Sequence, residues 1–339
     1  MTQQRATADD VARLANVSSK TVSRVFTQRE LVAPETAERV LAAAKRLRFR
    51  PNALARGLRR GGRTRTVGLM IGELGNPFYY KVASGIEKHL NEHGYGLILA
   101  TTDDTEEGEA RTADTLLSHR IDALLLVPVA SDQSYLEGER QLGTPVVAVD
   151  RPARNLVADA VVLANRAGVE EATRRLVAHG HRRIAYVCNP ASVYSQQERV
   201  AGYRAALSAA GIPAQGAWEL LEDDMSVPSE RLVGALLDRA EPPTAIVAGN
   251  NRMTIGALRA LRARGDDRTA LVGFDDFDTA DLMGVSVVSY DPVALGRASA
   301  ELALERIQDP TAFSRQIDMP TWIIERGTGE RPVIGSVAP

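Results

Sequence analysis

Polar side chains that can bind nucleic acid interrupt the apolar ones in the stretch SKTVSRVF, residues 19–26. Three of them are types that reach base edges in a major groove: Ser19, Lys20 and Arg24. Three hydroxyls in or just after the stretch can donate hydrogen bonds to phosphates: Thr21, Ser23 and Thr27. A small helical packing module with a polar outer face is the alternative. The charge distribution favours a polyanionic partner, because residues 1–66 hold 15 Lys and Arg against 5 Asp and Glu, whereas the remainder holds 26 against 38.

A second basic stretch, RPNALARGLRRGG, occupies residues 50–62. A helix from Asn52 to Leu58 or Arg60 has about eight residues, fewer than an isolated helix needs in water. We therefore expect it to fold only against DNA, where three arginines meet phosphates: Arg56, Arg59 and Arg60. Leu58 can then insert between base steps in the minor groove, so its replacement by alanine should weaken specific binding more than nonspecific binding. The alternative is a basic flexible linker that ends at Gly61 and Gly62.

Three short helices are predicted before this stretch, in the order of a helix-turn-helix followed by a supporting helix. The first begins at the N-cap Thr7, with Asp10 completing an acidic capping box, and ends at Asn16. Ser18 can cap the second helix, and Pro34 suits the first turn of the third. The apolar positions at helical spacing form three inward stripes: Val11, Leu14 and Ala15; Val22, Val25 and Phe26; Val40, Ala44 and Leu47.

From Thr66 onward, apolar runs alternate with amphipathic helices, which predicts parallel sheets covered on both faces. The runs divide into two sets of about four: TVGLMIGEL, YGLILATT, ALLLVPV and PVVAVDR, then DAVVLAN, RIAYVCN, AIVAGN and ALVGFDD. Three segments remain after the second set: a strand VSVVSYD, a helix at about 292–308, and IDMPTWIIER. A tail of this kind can cross back between two lobes and leave a cleft between them.

The predicted organisation is an all-α helix-turn-helix domain, a hinge helix and an α/β core of two doubly wound lobes. The domain takes residues 1–50, the hinge and linker 51–65, and the core 66–339. Lobe 1 is expected at about 66–161 and 291–320. Lobe 2 is expected at about 162–290 and 321–339.

The sequence resembles bacterial transcription regulators of the lactose repressor (LacI/GalR) family over nearly its whole length. The resemblance lies in TADDVARLANVSSKTVSRVF, VAPETAERVLAAAKRLRFRPNALARGLRRG, NPFYYKVASGIE, RAGVEEATRRLVAHGHRRIAYV and LVGFDDF, which occur in the order and spacing of the family. It implies a homodimer on a pseudo-palindromic operator, with a core similar to periplasmic sugar-binding proteins. It also implies that Ser19, Lys20 and Arg24 read bases and that Leu58 is the wedge.

Seven positions match the effector pocket of the family: Phe78, Tyr79, Asp150, Arg151, Arg199, Asn250 and Asp275. Carboxylates, an amide and arginines at strand ends suit the hydroxyls of a sugar or sugar acid, and an aromatic ring suits its apolar face. Asp and Asn at strand ends also cap helices, which is the alternative for each of them. The chain departs from the family pattern at Ala164 and Asn251, where aspartates are common, which removes negative charge near the cleft, and at Thr27, which replaces a frequent asparagine.

Other features exclude several classes of protein. Neither a signal-peptide pattern nor a membrane span is present, which places the protein in the cytoplasm, at the nucleoid when bound to DNA. The cysteine at position 188 lies in an apolar run and predicts a buried strand residue. His89 and His93 are too few ligands for a metal, and three aspartates are expected to cap or bind ligand rather than hold magnesium: Asp275, Asp276 and Asp278.

We therefore expect a transcription regulator, most simply a repressor, without catalytic residues, cofactor or metal. A ligand between the lobes would change operator affinity through the two hinge helices of a dimer, as inducer or as corepressor. A dimer is the expected assembly, because the sequence ends in ERPVIGSVAP without a heptad helix. The alternatives from other classes are a cytoplasmic sugar-binding protein and a doubly wound enzyme, each with an incidental basic N-terminal module.

Overall fold

The structure is a computed structural model that describes residues 6–49, 63–213, 218–224 and 226–333. The chain divides into two compact units, Met1–Thr64 and Arg65–Pro339. The predicted hinge helix at about 52–60, with Arg56, Leu58, Arg59 and Arg60, lies outside the described residues.

The first unit contains α1 (Ala8–Ala15), α2 (Ser19–Val25) and α3 (Pro34–Arg46), with a 3-10 turn at Arg29–Leu31. The predicted capping box is confirmed, because the Thr7 hydroxyl accepts from the Asp10 amide while the Asp10 carboxylate accepts from the Thr7 amide. Asn16 ends α1 in a left-handed conformation, with φ 54°. The Ser18 hydroxyl caps α2 by accepting from the Thr21 amide at 3.1 Å.

Small and β-branched side chains fill the core of this unit, with Val11, Val22 and Val40 at its centre. Phe26 and Phe49 pack beside them with ring centroids 5.9 Å apart. The expectation for Leu14 is wrong: its side chain is 43% exposed, and Ala12 takes the inward position instead.

The described residues of the second unit form twelve strands. They are β1 (Thr66–Ile71), β2 (Gly96–Thr101), β3 (Ala123–Leu126), β4 (Val146–Asp150), β5 (Asp159–Leu163), β6 (Ile184–Cys188), β7 (Glu219–Leu221), β8 (Ala245–Ala248), β9 (Ala270–Phe274), β10 (Ser286–Ser289), β11 (Gln316–Met319) and β12 (Trp322–Ile324). They form two six-stranded sheets, in the orders β11-β5-β4-β3-β1-β2 and β12-β10-β9-β8-β6-β7. All neighbours pair in parallel except β10 and β12. The predicted doubly wound fold is confirmed.

The assignment of DAVVLAN to the second set of strands is wrong. This segment is β5, which pairs in parallel with β4 and β11 in the first sheet. The expected boundary after residue 161 therefore falls inside a strand, and the chain leaves lobe 1 only after Leu163. The apolar pattern identified the strand but carried no information on its neighbours, which depend on contacts with a segment more than 150 residues later.

Eight α-helices cover the sheets in the part of the second unit that the structure describes. They are α4 (Pro77–Glu92), α5 (Glu106–Ser118), α6 (Glu137–Gln141), α7 (Asn165–Ala178), α8 (Tyr194–Ala209), α9 (Ser229–Leu237), α10 (Asn251–Ala263) and α11 (Pro292–Gln308). In lobe 1, α4 packs tightly on α11, since a Cβ on Gly85 would lie 2.2 Å from the Val293 carbonyl oxygen. In lobe 2, α7 packs equally tightly on α8, where a Cβ on Gly202 would lie 2.2 Å from the Arg166 carbonyl oxygen.

The chain passes between the lobes at three crossovers, which are residues 163–165, 289–292 and 319–322. The first and third crossovers are hydrogen-bonded to each other. The Ala164 amide donates to the Met319 carbonyl at 2.9 Å, and the Thr321 hydroxyl lies 3.4 Å from the Ala164 carbonyl. Any rotation of one lobe against the other must bend the backbone at these three places.

Candidate functional site

A cleft of about 380 Å³ lies between the lobes, at the carboxyl ends of the parallel strands. All seven positions singled out from the sequence line it: Phe78, Tyr79, Asp150, Arg151, Arg199, Asn250 and Asp275. Four of them stand at or directly beyond the ends of β4, β8 and β9, and the two aromatics lie in the first turn of α4 after β1. Arg199 reaches the cleft from α8. Residues more than 190 positions apart in the chain therefore share one cavity.

Asp150 and Arg151 form a polar pair on the lobe 1 wall. Asp150 adopts a left-handed conformation, with φ 70°, and its carboxylate lies 3.5 Å from Arg151 Nε. Burial raises the pKa of Asp150, against the opposing influence of Arg151 and Arg199. Arg151 Nη2 lies 3.3 Å from the Tyr79 hydroxyl, whose pKa burial raises to about 12. Arg151 Nε is buried and has no hydrogen-bond partner among the described residues, so this guanidinium retains donor capacity for a ligand.

Arg199 lies on the lobe 2 side of the cleft and is only 5% exposed. Its Nε donates to Asn165 Oδ1 at 2.7 Å, and its Nη1 donates to the Gly249 carbonyl at 2.6 Å. The guanidinium carbon lies 3.5 Å from the centre of the Phe274 ring, a cation–π contact. The cleft thus contains a buried cation that is bonded to Asn165 and Gly249.

Asn250 and Asp275 hold the wall of the cleft together as well as lining it. Asn250 caps α10, accepting from the Met253 amide at 2.9 Å and donating to the Asn189 carbonyl at 2.6 Å. Asp275 accepts from the Asn251 amide at 3.1 Å and from the Tyr290 hydroxyl at 2.7 Å. Asn250 therefore does cap a helix, as the structural alternative expected, and its side chain lines the cavity as well.

Sequence reasoning missed several residues that line the same cleft. They are Glu73, Asn76, Asp104, Val129, Asn189, Ser192, Gln196, Asp223, Arg252 and Tyr290. The strand-end rule could have found Asp104, which follows β2, and Tyr290, which follows β10. Burial raises the pKa of Asp104, which lies near Arg151 and Arg252. No pattern in the sequence points to Gln196, which is one of many polar residues on α8.

The departures from the family pattern have separate outcomes. Asn251 lines the cleft, as expected, and its side-chain amide lies 3.4 Å from Asn76 Oδ1 of the opposite lobe. Ala164 instead lines a groove at the crossovers with Pro320 and Trp322, at the N-cap of α7. The expectation that Ala164 removes charge near the cleft is therefore wrong, because this position caps a helix, and alanine lacks an oxygen for that bond.

On α2, Lys20 and Arg24 are exposed and Ser19 is half-buried. The Ser19 hydroxyl donates to the Asp9 carboxylate, which orders the side chain at the start of the helix. The Thr21 hydroxyl lies 2.9 Å from that of Ser18. The Thr27 hydroxyl donates to the Ser23 carbonyl at 2.9 Å, so a bond from Thr27 to a phosphate would have to replace this one.

Most of the side chains set aside as metal ligands contact other groups, although His89 Nδ1 is buried without a hydrogen-bond partner among the described residues. The rings of His89 and His93 lie 4.5 Å apart, and within the described part of the chain no three His, Cys, Asp or Glu residues are placed to hold a metal. Asp276 forms two bonds to Arg326, at 2.7 and 2.9 Å, and Asp278 pairs with Lys81. Cys188 is fully buried, and burial raises the pKa of its thiol to about 12. None of the described helices is long and apolar enough to cross a membrane.

A helix-turn-helix unit joined to two parallel-sheet lobes around a polar cleft defines a ligand-responsive DNA-binding regulator. The family model "Bacterial regulatory proteins, lacI family" matches residues 7–52. A second, "Periplasmic binding proteins and sugar binding domain of LacI family", matches residues 64–326. The chain belongs to the LacI family. It is a DNA-binding transcription repressor, like the ribose operon repressor and the transcriptional repressor PurR among its relatives, and not an enzyme.

Relatives cover nearly the full chain. The ribose operon repressor of Escherichia coli (strain K12) is 31% identical over 95% of this chain and 99% of its own. The structure of a complex of the transcriptional regulator CelR with cellobiose is 31% identical, covers 96% of this chain and 100% of that one, and has a TM-score of 0.71. The lac repressor dimer bound to operator and the anti-inducer ONPF is 24% identical over 96% and 99%, and its TM-score of 0.85 shows the same fold. The alternatives of a binding protein with an incidental module, or of an enzyme, receive no support from these matches.

Proposed function

We propose that this repressor binds a sugar or sugar acid in the interlobe cleft and a pseudo-palindromic operator as a homodimer. The observation that carries the proposal is that all seven expected side chains line one cavity with walls from both lobes. A ligand there contacts both lobes at once and so has different affinities for different lobe arrangements. That difference is the physical requirement for control of a distant site.

The chemistry of the lining supports a polyhydroxylated ligand. Phe78 and Tyr290 meet edge to face at 5.8 Å and offer aromatic surface to a sugar ring, while carboxylates, amides and guanidinium groups offer acceptors and donors. Five acidic side chains line the cleft: Glu73, Asp104, Asp150, Asp223 and Asp275. Only three basic side chains line it: Arg151, Arg199 and Arg252. This excess of negative charge favours a neutral sugar over a sugar acid.

The first unit supplies the DNA contacts in this proposal. Ser19, Lys20 and Arg24 read base edges, which the exposure of Lys20 and Arg24 on α2 supports. Thr21, Ser23, Thr27, Arg56, Arg59 and Arg60 contact the backbone, and Leu58 is the minor-groove wedge. The protein acts in the cytoplasm and associates with the nucleoid when bound to its operator.

The test is a selection of operator fragments from random DNA, followed by binding assays at two salt concentrations with a panel of sugars. The panel contains ribose and cellobiose, since the relatives above are a ribose operon repressor and a regulator in complex with cellobiose, together with hexoses and their acids. Recovery of a pseudo-palindrome whose affinity one sugar changes supports the proposal, and the sign of the change distinguishes inducer from corepressor. Binding that is sequence-blind, salt-sensitive and indifferent to every sugar would contradict it.

A further inference from the structure

A short network of buried hydrogen bonds joins the cleft to the first crossover. Arg199, which lines the cleft, donates from Nε to Asn165 Oδ1 at 2.7 Å. Asn165 in turn donates from Nδ2 to the carbonyl of Leu163, the last residue of β5, at 3.2 Å. Arg199 and Asn165 are 5% and 2% exposed, so water competes little for these bonds.

Asn165 occupies a special position in the chain. It is the first residue of α7 in lobe 2, while Leu163 is the last residue of β5 in the lobe 1 sheet. Between them, Ala164 is bonded to the third crossover through its amide and the Met319 carbonyl, at 2.9 Å. The Asn165 side chain therefore contacts a cleft residue of lobe 2 and the lobe 1 end of the backbone segment that must bend.

We infer that Asn165 is a positioning residue that couples the ligand-facing Arg199 to the first crossover. The inference rests on the proposed function and adds to it the route by which an occupied cleft changes the hinge. A ligand that pulls the Arg199 guanidinium shifts the Asn165 amide, because Nε is its bonding partner. The Asn165 amide then either keeps or breaks its bond to Leu163, which gives the crossover two discrete arrangements.

The bonds around Gly249 provide a matched control. The Gly249 carbonyl accepts from Arg199 Nη1 and also from Gln196 Nε2, at 2.9 Å. Gln196 is held in turn by the Tyr186 hydroxyl, at 3.0 Å. Tyr186→Phe removes one buried hydrogen bond from the same wall of the cleft without touching Asn165 or the crossover.

The first experiment needs no ligand. Hydrogen exchange of the full chain is measured by mass spectrometry on peptides that contain Ala164, whose amide bonds the third crossover, with a peptide of α3 as internal reference. We expect about tenfold faster exchange of the crossover peptide in Asn165→Ala and less than twofold change in Tyr186→Phe. Equally fast exchange of the crossover peptide in the two variants would overturn the inference. The loss of any hydrogen bond in the cleft wall would then affect the crossover as much as the loss of Asn165.

The second experiment measures coupling as the ratio of operator Kd with and without saturating sugar, with D-ribose as the first probe. We expect Asn165→Ala to reduce this ratio at least fivefold toward one, and Tyr186→Phe to leave it unchanged. Asn165→Asp still accepts from Arg199 but cannot donate to Leu163, so it should bind sugar within about threefold of the wild type and still lose coupling. Asn165→Asp also tests the inference if Asn165→Ala fails to fold.

Retention of coupling in Asn165→Asp would overturn the link through Leu163. If wild-type operator binding responds to no sugar, the proposed function fails, whereas the exchange experiment still decides whether Asn165 connects the cleft wall to the crossover. A purely structural role for Asn165 predicts weaker folding with an unchanged coupling ratio in the molecules that fold. That result would also overturn the inference.

Discussion

Lys81 of lobe 1 and Asp278 of lobe 2 lie 3.1 Å apart and form an ion pair across the gap between the lobes. A second pair joins Glu73 of lobe 1 to Arg252 of lobe 2. Both pairs connect the segment after β1 to segments that follow β8 and β9. Each pair therefore contributes a modest stabilisation to this arrangement of the lobes.

Removal of both cations, in Lys81→Gln with Arg252→Gln, should weaken sugar binding by about fivefold at low salt. The reason is that each exposed pair contributes only about 0.2–1 kcal/mol, but that energy acts directly on the lobe equilibrium. Calorimetric titration at 50 and 500 mM salt checks this, and the difference from wild type should shrink below about twofold at high salt as the charges are screened. An equal loss at both salt concentrations would show that Arg252 acts through direct ligand contact.

Replacement of Lys20 or Arg24 by alanine should weaken operator binding by about 1–3 kcal/mol and relax sequence preference at the bases they contact. The exposed Arg39 on α3 is the charge-matched control, and its replacement should lower specific and nonspecific affinity alike. Competition assays with point-substituted operators measure both effects. An unchanged base preference in both α2 variants would show that Lys20 and Arg24 do not read bases.

Seven of the side chains that line the cleft were predicted from the sequence. Parallel strands bring their carboxyl ends to one edge, so polar residues after β4, β8 and β9 had to meet once the strands were recognised. The partners of β5 were not predictable in this way, because an apolar strand fits either sheet. Nor was the bond between Asn165 and Arg199, since it depends on rotamers and on the approach of two helices rather than on spacing.

The missing cap on α7 predicts a stabilising substitution. Ala164→Thr should raise the free energy of unfolding by about 1 kcal/mol, because the hydroxyl can accept from a free amide of the first turn. Ala164→Val has the same shape without the oxygen and is the control. Urea denaturation of the two variants measures the difference. Equal midpoints for threonine and valine would mean that the α7 amides need no cap.

Stability should fall as the pH drops below about 6.5, the ordinary pKa of histidine. His181 is fully buried between the Thr244 hydroxyl, at 2.9 Å, and the Arg331 carbonyl, at 2.8 Å, and burial lowers its pKa. Between about pH 6.5 and the lower folded pKa, His181 is therefore protonated in the unfolded chain but neutral in the folded protein. The free energy of unfolding decreases as the pH falls through this range.

Urea denaturation at pH 7.5 and 5.5 checks this pH dependence. His181→Gln should be less stable than wild type at pH 7.5 but lose less on acidification. His119→Gln, at an exposed histidine, should follow the wild type at both pH values. If the free energy of unfolding of His181→Gln fell with pH as steeply as that of the wild type, other groups would be responsible for the pH dependence.

The order of elements in lobe 1 has a consequence for synthesis on the ribosome. Its edge strand β11 and the helix α11 that covers α4 are translated after all of β6–β10 in lobe 2. Until then the face of α4 that packs on α11, where Gly85 approaches Val293, is uncovered. The lobe that begins first is therefore completed only after most of lobe 2 has been translated, and its unfinished half is exposed to aggregation during that time.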